Sequence, residues 1–96
     1  MMDIRWEEAV RQGDVETVRD ALDGDADVNA RDRHGQTGLM LAVVAGHEDV
    51  ALRLAEAGAE HSLRGTGAPG FAGKTACDLA VERGMRELAA RLTAKR

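Results

Sequence analysis

Apolar residues recur along this chain at the three- to four-residue interval of helices buried on one side. In the middle of the sequence Leu39, Ala42 and Val43 form one such run and Val50, Ala51 and Leu54 a second, with Gly46 between them. Near the start, Trp6, Ala9 and Val10 alternate with Arg5, Glu8 and Gln12. Near the end, Met85, Leu88, Ala89 and Leu92 are set against Arg86, Glu87, Arg91 and Lys95. The pattern predicts pairs of short helices. Thr37 and Thr75 precede apolar runs and suit helix N-caps, Gly46 and Gly84 mark tight turns within a pair, and Gly58 ends the second helix of the middle pair.

The pairs repeat. Gly13-Asp14-Val15-Glu16-Thr17-Val18 returns in looser form as Gly46-His47-Glu48-Asp49-Val50-Ala51, and again as Gly84-Met85-Arg86-Glu87-Leu88-Ala89. The second step, from Gly46 to Gly84, is longer than the first by five positions. Another anchor agrees, because Gly35-Gln36-Thr37-Gly38-Leu39-Met40-Leu41-Ala42 returns as Gly73-Lys74-Thr75-Ala76-Cys77-Asp78-Leu79-Ala80 after the same longer step. The five extra positions therefore lie between Gly46 and Gly73. The Gly/Pro-rich stretch there is residues 65–72, Gly65-Thr66-Gly67-Ala68-Pro69-Gly70-Phe71-Ala72.

These residues resemble the ankyrin repeat. Asp32-Arg33-His34-Gly35-Gln36-Thr37-Gly38-Leu39-Met40-Leu41-Ala42, followed by Gly46-His47 and Gly58-Ala59, is similar to one whole unit of that family. Ala26-Asp27-Val28-Asn29-Ala30 supplies the close of a preceding unit, and Gly73-Lys74-Thr75 with Asp78-Leu79-Ala80 the opening of a following one. The resemblance implies an all-α solenoid of paired antiparallel helices with hairpin-like fingers, forming one domain over 1–96 with units of about 1–31, 32–64 and 65–96. Three units is about the minimum for a stable stack, so the first and last should also act as caps. Two departures carry expectations. Gly38 and Met40 stand where the family usually has Pro and His, which predicts a looser middle repeat, and the five-residue insertion predicts one elongated finger with Phe71 near its tip.

Composition narrows the function. One Trp, one Phe and no Tyr leave a core of Leu, Val, Ala and Met. A net charge of −4 lacks the Lys/Arg surplus that displaces counterions from nucleic acid, so no nucleic-acid partner is expected. The charge is uneven: residues 1–32 hold ten acids and four bases, residues 33–96 seven acids and nine bases. No run reaches the ~20 apolar residues of a membrane span. The single Cys77 excludes an internal disulfide, and the start of the chain has no apolar run of signal-peptide type, so a cytoplasmic protein is expected.

Candidate chemistry is sparse. Residues 68–75, Ala68-Pro69-Gly70-Phe71-Ala72-Gly73-Lys74-Thr75, satisfy a relaxed phosphate-loop pattern with Ala68 in place of the first Gly. The polar Glu60-His61-Ser62-Leu63-Arg64 before it is not the buried strand that such a loop needs, so nucleotide binding through Lys74 and Thr75 stands as an alternative only. His34, His47 and His61 have no paired helical spacing, and Asp20, Asp23, Asp25 and Asp27 lack the ligand order of a calcium loop, so neither metal nor cofactor is expected. The bland roles are favoured for the rest: His47 bonds neighbouring backbone, Cys77 packs as a small core residue, and Trp6 packs in the first cap.

No catalytic residues are predicted. The resemblance implies a non-enzymatic protein-binding module that uses its concave face and fingers. By motif the contacting positions are Arg33, His34 and Gln36 on the first finger, Val44 and Ala45 on the middle inner helix, and Lys74, Glu82 and Arg83 on the last unit, with Arg11 extending the row. Val44 and Ala45 form a small apolar centre flanked by Arg11, Arg33 and Arg83, which favours a partner of apolar and acidic character. Phe71 on the Gly-rich loop would either fill a partner's pocket or fold back onto its own repeat. The acidic start and basic end also allow a monomer that associates weakly with itself, or a self-assembling structural protein.

Overall fold

In a computed structural model the described residues are 4–24, 27–60, 62–66, 70 and 72–94. They form six helices in three pairs: α1 Ile4–Gln12 with α2 Val15–Asp23, α3 Gly38–Ala45 with α4 Glu48–Glu56, and α5 Ala76–Glu82 with α6 Arg86–Ala94. The caps explain where several of them start. Thr37 Oγ1 accepts from the Met40 amide at 3.3 Å. Thr75 and Asp78 form a reciprocal box in which each side chain accepts from the other's backbone N–H at 3.1 Å. Asp14 caps α2 by accepting from the amide and hydroxyl of Thr17 at 3.2 and 2.7 Å. Within the middle pair, Gly46 at φ +82° takes the left-handed conformation that reverses the chain.

The pairs stack in two rows. α1, α3 and α5 pack side by side as an inner row, α2, α4 and α6 as an outer row, and each inner helix packs on the outer helix of its own pair. Neither row has a lone hydrophobic stripe to bury; the core is shared between successive pairs, as the repeat spacing predicts. It contains Trp6, Val10, Val18, Leu39, Met40, Val43, Val50, Leu54, Leu79, Leu88 and Leu92, all buried. The middle helix α3 is buried from Gly38 through Val43 because it alone has a neighbour on both sides within its row.

That packing corrects the expectation of a looser middle repeat. Met40 is fully buried as part of the core. Gly38 has the Trp6 indole laid over it: a Cβ there would lie 3.3 Å from Trp6 Nε1 and 3.6 Å from its Cζ2. The glycine makes room for a large ring donated by the preceding unit, and Trp6 is the buried cap residue the pattern predicted. The ring's N–H finds no hydrogen-bond partner there.

Between α2 and α3 the chain makes a short finger. The Asp32 amide donates to the Gln36 carbonyl at 2.9 Å, Arg31 and Thr37 pair as an antiparallel bridge, and Asp32 Oδ1 accepts from the amides of His34 and Gln36 at 2.9 and 3.0 Å. The second finger has a matching base, where Gly73 N–H donates to Gly65 O at 2.8 Å and Gly65 N–H donates to Lys74 O at 2.9 Å. The insertion thus extends the second finger beyond this base. Its 67–69 portion and Phe71 lie outside the described residues, as do His61 and Lys95.

Candidate functional site

The first finger and the C-terminal halves of α3 and α5 supply the exposed side chains expected to meet a partner. Arg33 and His34 are exposed at the finger turn, held there because the His34 amide is tied to Asp32 Oδ1. Ala45 is exposed and Val44 half-buried where α3 ends, and Glu82 and Arg83 are exposed where α5 ends. Gln36 is a correction. The residue is 5 % exposed, its backbone amide and carbonyl are both bonded within the Asp32 turn, and it offers almost no surface to a partner.

The cations of this face are not equivalent. The Arg11 guanidinium lies 3.0 Å from Glu7 within α1 and 3.6 Å from Asp32 Oδ2, so it ties α1 to the base of the first finger. Asp32 Oδ2 is buried and accepts no hydrogen bond among the described residues, with the Arg11 guanidinium 3.6 Å away. Lys74 Nζ lies 2.7 Å from Glu82 and braces the second finger against α5. Arg33 and Arg83 make no ion pair among the described residues. Of the cations expected on this face, Arg33 and Arg83 are therefore the ones not neutralised among the described residues.

Sequence reasoning missed the groups that hold the fingers. Arg31 donates to Gly35 O at 2.6 Å and to Arg64 O at 2.7 Å, and Arg64 in turn donates to Gly73 O at 2.6 Å. These two arginines form a ladder that fastens the first finger to the second. Asn29 Oδ1 adds a bond from the Glu60 amide at 2.8 Å. The signal was present, since Arg31 and Arg64 stand one repeat period apart, as Gly13 and Gly46 do.

The remaining candidate groups have structural work. His47 Nε2 bonds the Arg11 carbonyl at 3.0 Å, joining the first and second pairs as expected of it. Lys74 and Thr75, the polar pair of the phosphate-loop pattern, are engaged by Glu82 and by the capping box. Cys77 is half-buried and its thiol lies 3.9 Å from the Ala89 carbonyl; burial first, and the neighbouring Asp78 charge second, push its pKa up. A thiol so placed is a poor nucleophile at neutral pH. The Asp14 carboxyl is held below the usual range, chiefly by the Thr17 hydroxyl and then by the Thr17 amide. Among the described residues no three His, Cys, Asp or Glu side chains gather as metal ligands, and no helix is long and apolar enough to cross a membrane.

A search of curated proteins returns no significant match. The family model described as ankyrin repeats, in three copies, matches residues 6–96. With three stacked helix pairs, bonded fingers and a family match over nearly its whole length, the chain belongs to the ankyrin-repeat family.

Proposed function

We propose that this chain is a non-enzymatic cytoplasmic module that binds one protein partner through the inner row and the first finger, in units of about 1–31, 32–64 and 65–96. Ankyrin repeats are generally protein-interaction modules, and this chain keeps what such a role needs: exposed side chains on a scaffold that does not have to rearrange. The observation that carries the reading is the division of labour among the cations. Arg11 and Lys74 are neutralised within the scaffold, whereas Arg33 and Arg83 are exposed and without an ion pair among the described residues, as Ala45 is exposed and Val44 half-buried. A partner of apolar and acidic surface fits that combination of side chains. The hydrogen bonds that hold the first finger reduce the entropy lost on binding.

The test is capture from native lysate with the wild-type chain beside an Arg33→Ala, Ala45→Asp, Arg83→Ala variant, each first shown folded by circular dichroism. All three positions are exposed, so the variant should keep its fold. A protein retained by the wild type and lost by the variant supports the reading. Equal capture by both refutes the assignment of the face.

A further inference from the structure

Positive charge collects where the two fingers meet. The chain has 17 Asp and Glu residues, yet none falls within residues 33–47 or 61–77, the stretches that include most of both fingers. Asp32, beside the first stretch, faces Arg11, and Asp78, beside the second, closes the Thr75 cap. Glu60 is exposed and pairs with no cation among the described residues. Arg31 and Arg64 therefore have no carboxylate within ion-pair distance among those residues.

The way these two arginines are bonded leaves their recognition edges open. Arg31 donates through Nη1 alone, to Gly35 O at 2.6 Å and to Arg64 O at 2.7 Å, and Arg64 also through Nη1 alone, to Gly73 O at 2.6 Å. Nε and Nη2 of both make no hydrogen bond among the described residues. Those two atoms form the edge by which a guanidinium holds an oxyanion with two parallel bonds. The fold also brings the two groups to one place. Arg31 bonds the carbonyl of Arg64 itself, and Gly65, next along the chain, is buried and bonded to the Gly73 amide and the Lys74 carbonyl across the base of the second finger. Gly35 lets the fingers touch, because a Cβ there would collide with Thr66 Oγ1. Two cations are thus fastened by backbone carbonyls before a ligand arrives, so little side-chain ordering is left to oppose binding.

We infer that Arg31 and Arg64, at the foot of the second finger, receive a phosphate monoester carried as a phosphorylated side chain by the protein partner proposed above, a reading on which this one rests. A carboxylate brings a single charge and fills one guanidinium edge. A phosphate monoester brings about −1.5 to −2 charge at neutral pH and three acceptor oxygens, which suits two uncompensated cations with two open edges. Arg31 is half-buried and Arg64 exposed, so the site can be reached from outside, and salt screening keeps the affinity for the group alone low. Phosphorylation of the partner then adds this contact to those at Arg33, Ala45 and Arg83, and binding to the first finger becomes dependent on the modification.

Proton–nitrogen NMR of the arginine Nε–H groups in the isotope-labelled wild-type chain tests the site directly. The probes are inorganic phosphate, a blocked glycyl-phosphothreonyl-glycine and its glutamate counterpart, each added at constant ionic strength against sodium chloride. The Arg31 and Arg64 resonances, assigned from Arg31→Lys and Arg64→Lys, should move saturably with phosphate and with the phosphopeptide, at half-saturation of ~1–5 mM. The glutamate peptide should bind at least tenfold more weakly. Each lysine variant keeps the charge and loses the paired edge, and should weaken phosphate binding at least tenfold as read from the arginine that remains. No saturable movement in the wild type overturns the proposal, as does an equal response to the glutamate peptide. A response to inorganic phosphate without one to the phosphopeptide overturns the assignment to a partner's side chain. The titration contains no partner, so its failure is separate from a failure of the capture experiment.

Discussion

Replacing Gly38 by proline should destabilise this protein, although proline is the residue its family prefers there. Backbone considerations alone favour the change. Gly38 is the first residue of α3, where a missing N–H costs no helical bond, and Thr37 before it is extended at φ −84° and ψ 164°, as a residue preceding proline must be. Restricting the unfolded chain would contribute ~1 kcal/mol of stability. The side chain decides otherwise. A Cβ at Gly38 meets Trp6 Nε1 at 3.3 Å, Trp6 Cζ2 at 3.6 Å and Leu54 Cδ1 at 3.7 Å, and the rest of the ring must enter the same space. Overpacking of this kind costs ~1–3 kcal/mol. Set against that gain, the net effect is a loss of up to about 2 kcal/mol, or as much as roughly 15 °C in Tm for a domain of this size. In a Trp6→Leu background the obstruction is gone, and the same proline should stabilise by ~1 kcal/mol relative to that parent. Urea unfolding followed by far-ultraviolet circular dichroism measures all four corners of the cycle, with an expected coupling of about 1–3 kcal/mol. Equal stabilisation by proline in both backgrounds would refute the argument that Trp6 and Gly38 are one packing unit.

Three further outcomes are expected. Asp32→Ala, which strips the acceptor from the amides of His34 and Gln36, should cost ~2–4 kcal/mol in urea, whereas Asp32→Asn, which keeps an oxygen for both and loses only the charge facing Arg11, should cost ~1 kcal/mol; equal losses would show the turn bonds to be unimportant. Gly13→Ala should cost more than Gly46→Ala although both sites have φ near +80°: an added Cβ lies 2.6 Å from His47 Nδ1 at Gly13 and meets nothing within 4 Å at Gly46, so the second variant isolates the backbone part of ~1–2 kcal/mol, and thermal melts compare the two. The Asp14 cap should make stability fall in acid. Its carboxyl has a lower pKa folded than unfolded, so its contribution is complete above the unfolded value and lost as pH drops through the folded one; the difference in Tm between wild type and Asp14→Ala should shrink from pH 6 to pH 2, and a constant difference would contradict it.

The fold was legible because it rests on features that repeat. Thr37, Thr75, Gly46 and Gly84 are each seen at least twice in phase, and a cap or reversal that returns at a fixed period cannot be a chance of composition. What stayed hidden depends on a neighbour one period away. Gly38 reads as a weak helix start until Trp6 is placed above it, and Gln36 reads as an exposed polar residue until Asp32 draws its backbone inward. The candidate surface failed to be fully legible for the same reason. Arg11 and Arg33 are indistinguishable as letters, and only the positions of Glu7 and Asp32 show that one is spent within the scaffold.

Arg31 and Arg64 carry that reasoning into function. A finger of half a dozen residues has few apolar contacts of its own and would sample many conformations if tied only at its base. Here Arg31 bonds Gly35 O within the first finger and crosses to Arg64 O at the foot of the second, whose base Arg64 closes onto Gly73 O, so displacing the first finger breaks a bond to the second. If the proposed function holds, the backbone that carries Arg33 and His34 is ordered before binding, and the ordering cost that a free loop would bring has already been met in folding. On the proposed function, recognition would depend on two kinds of arginine at neighbouring positions, Arg33, which makes no ion pair among the described residues, and Arg31, whose removal would loosen the finger that carries it.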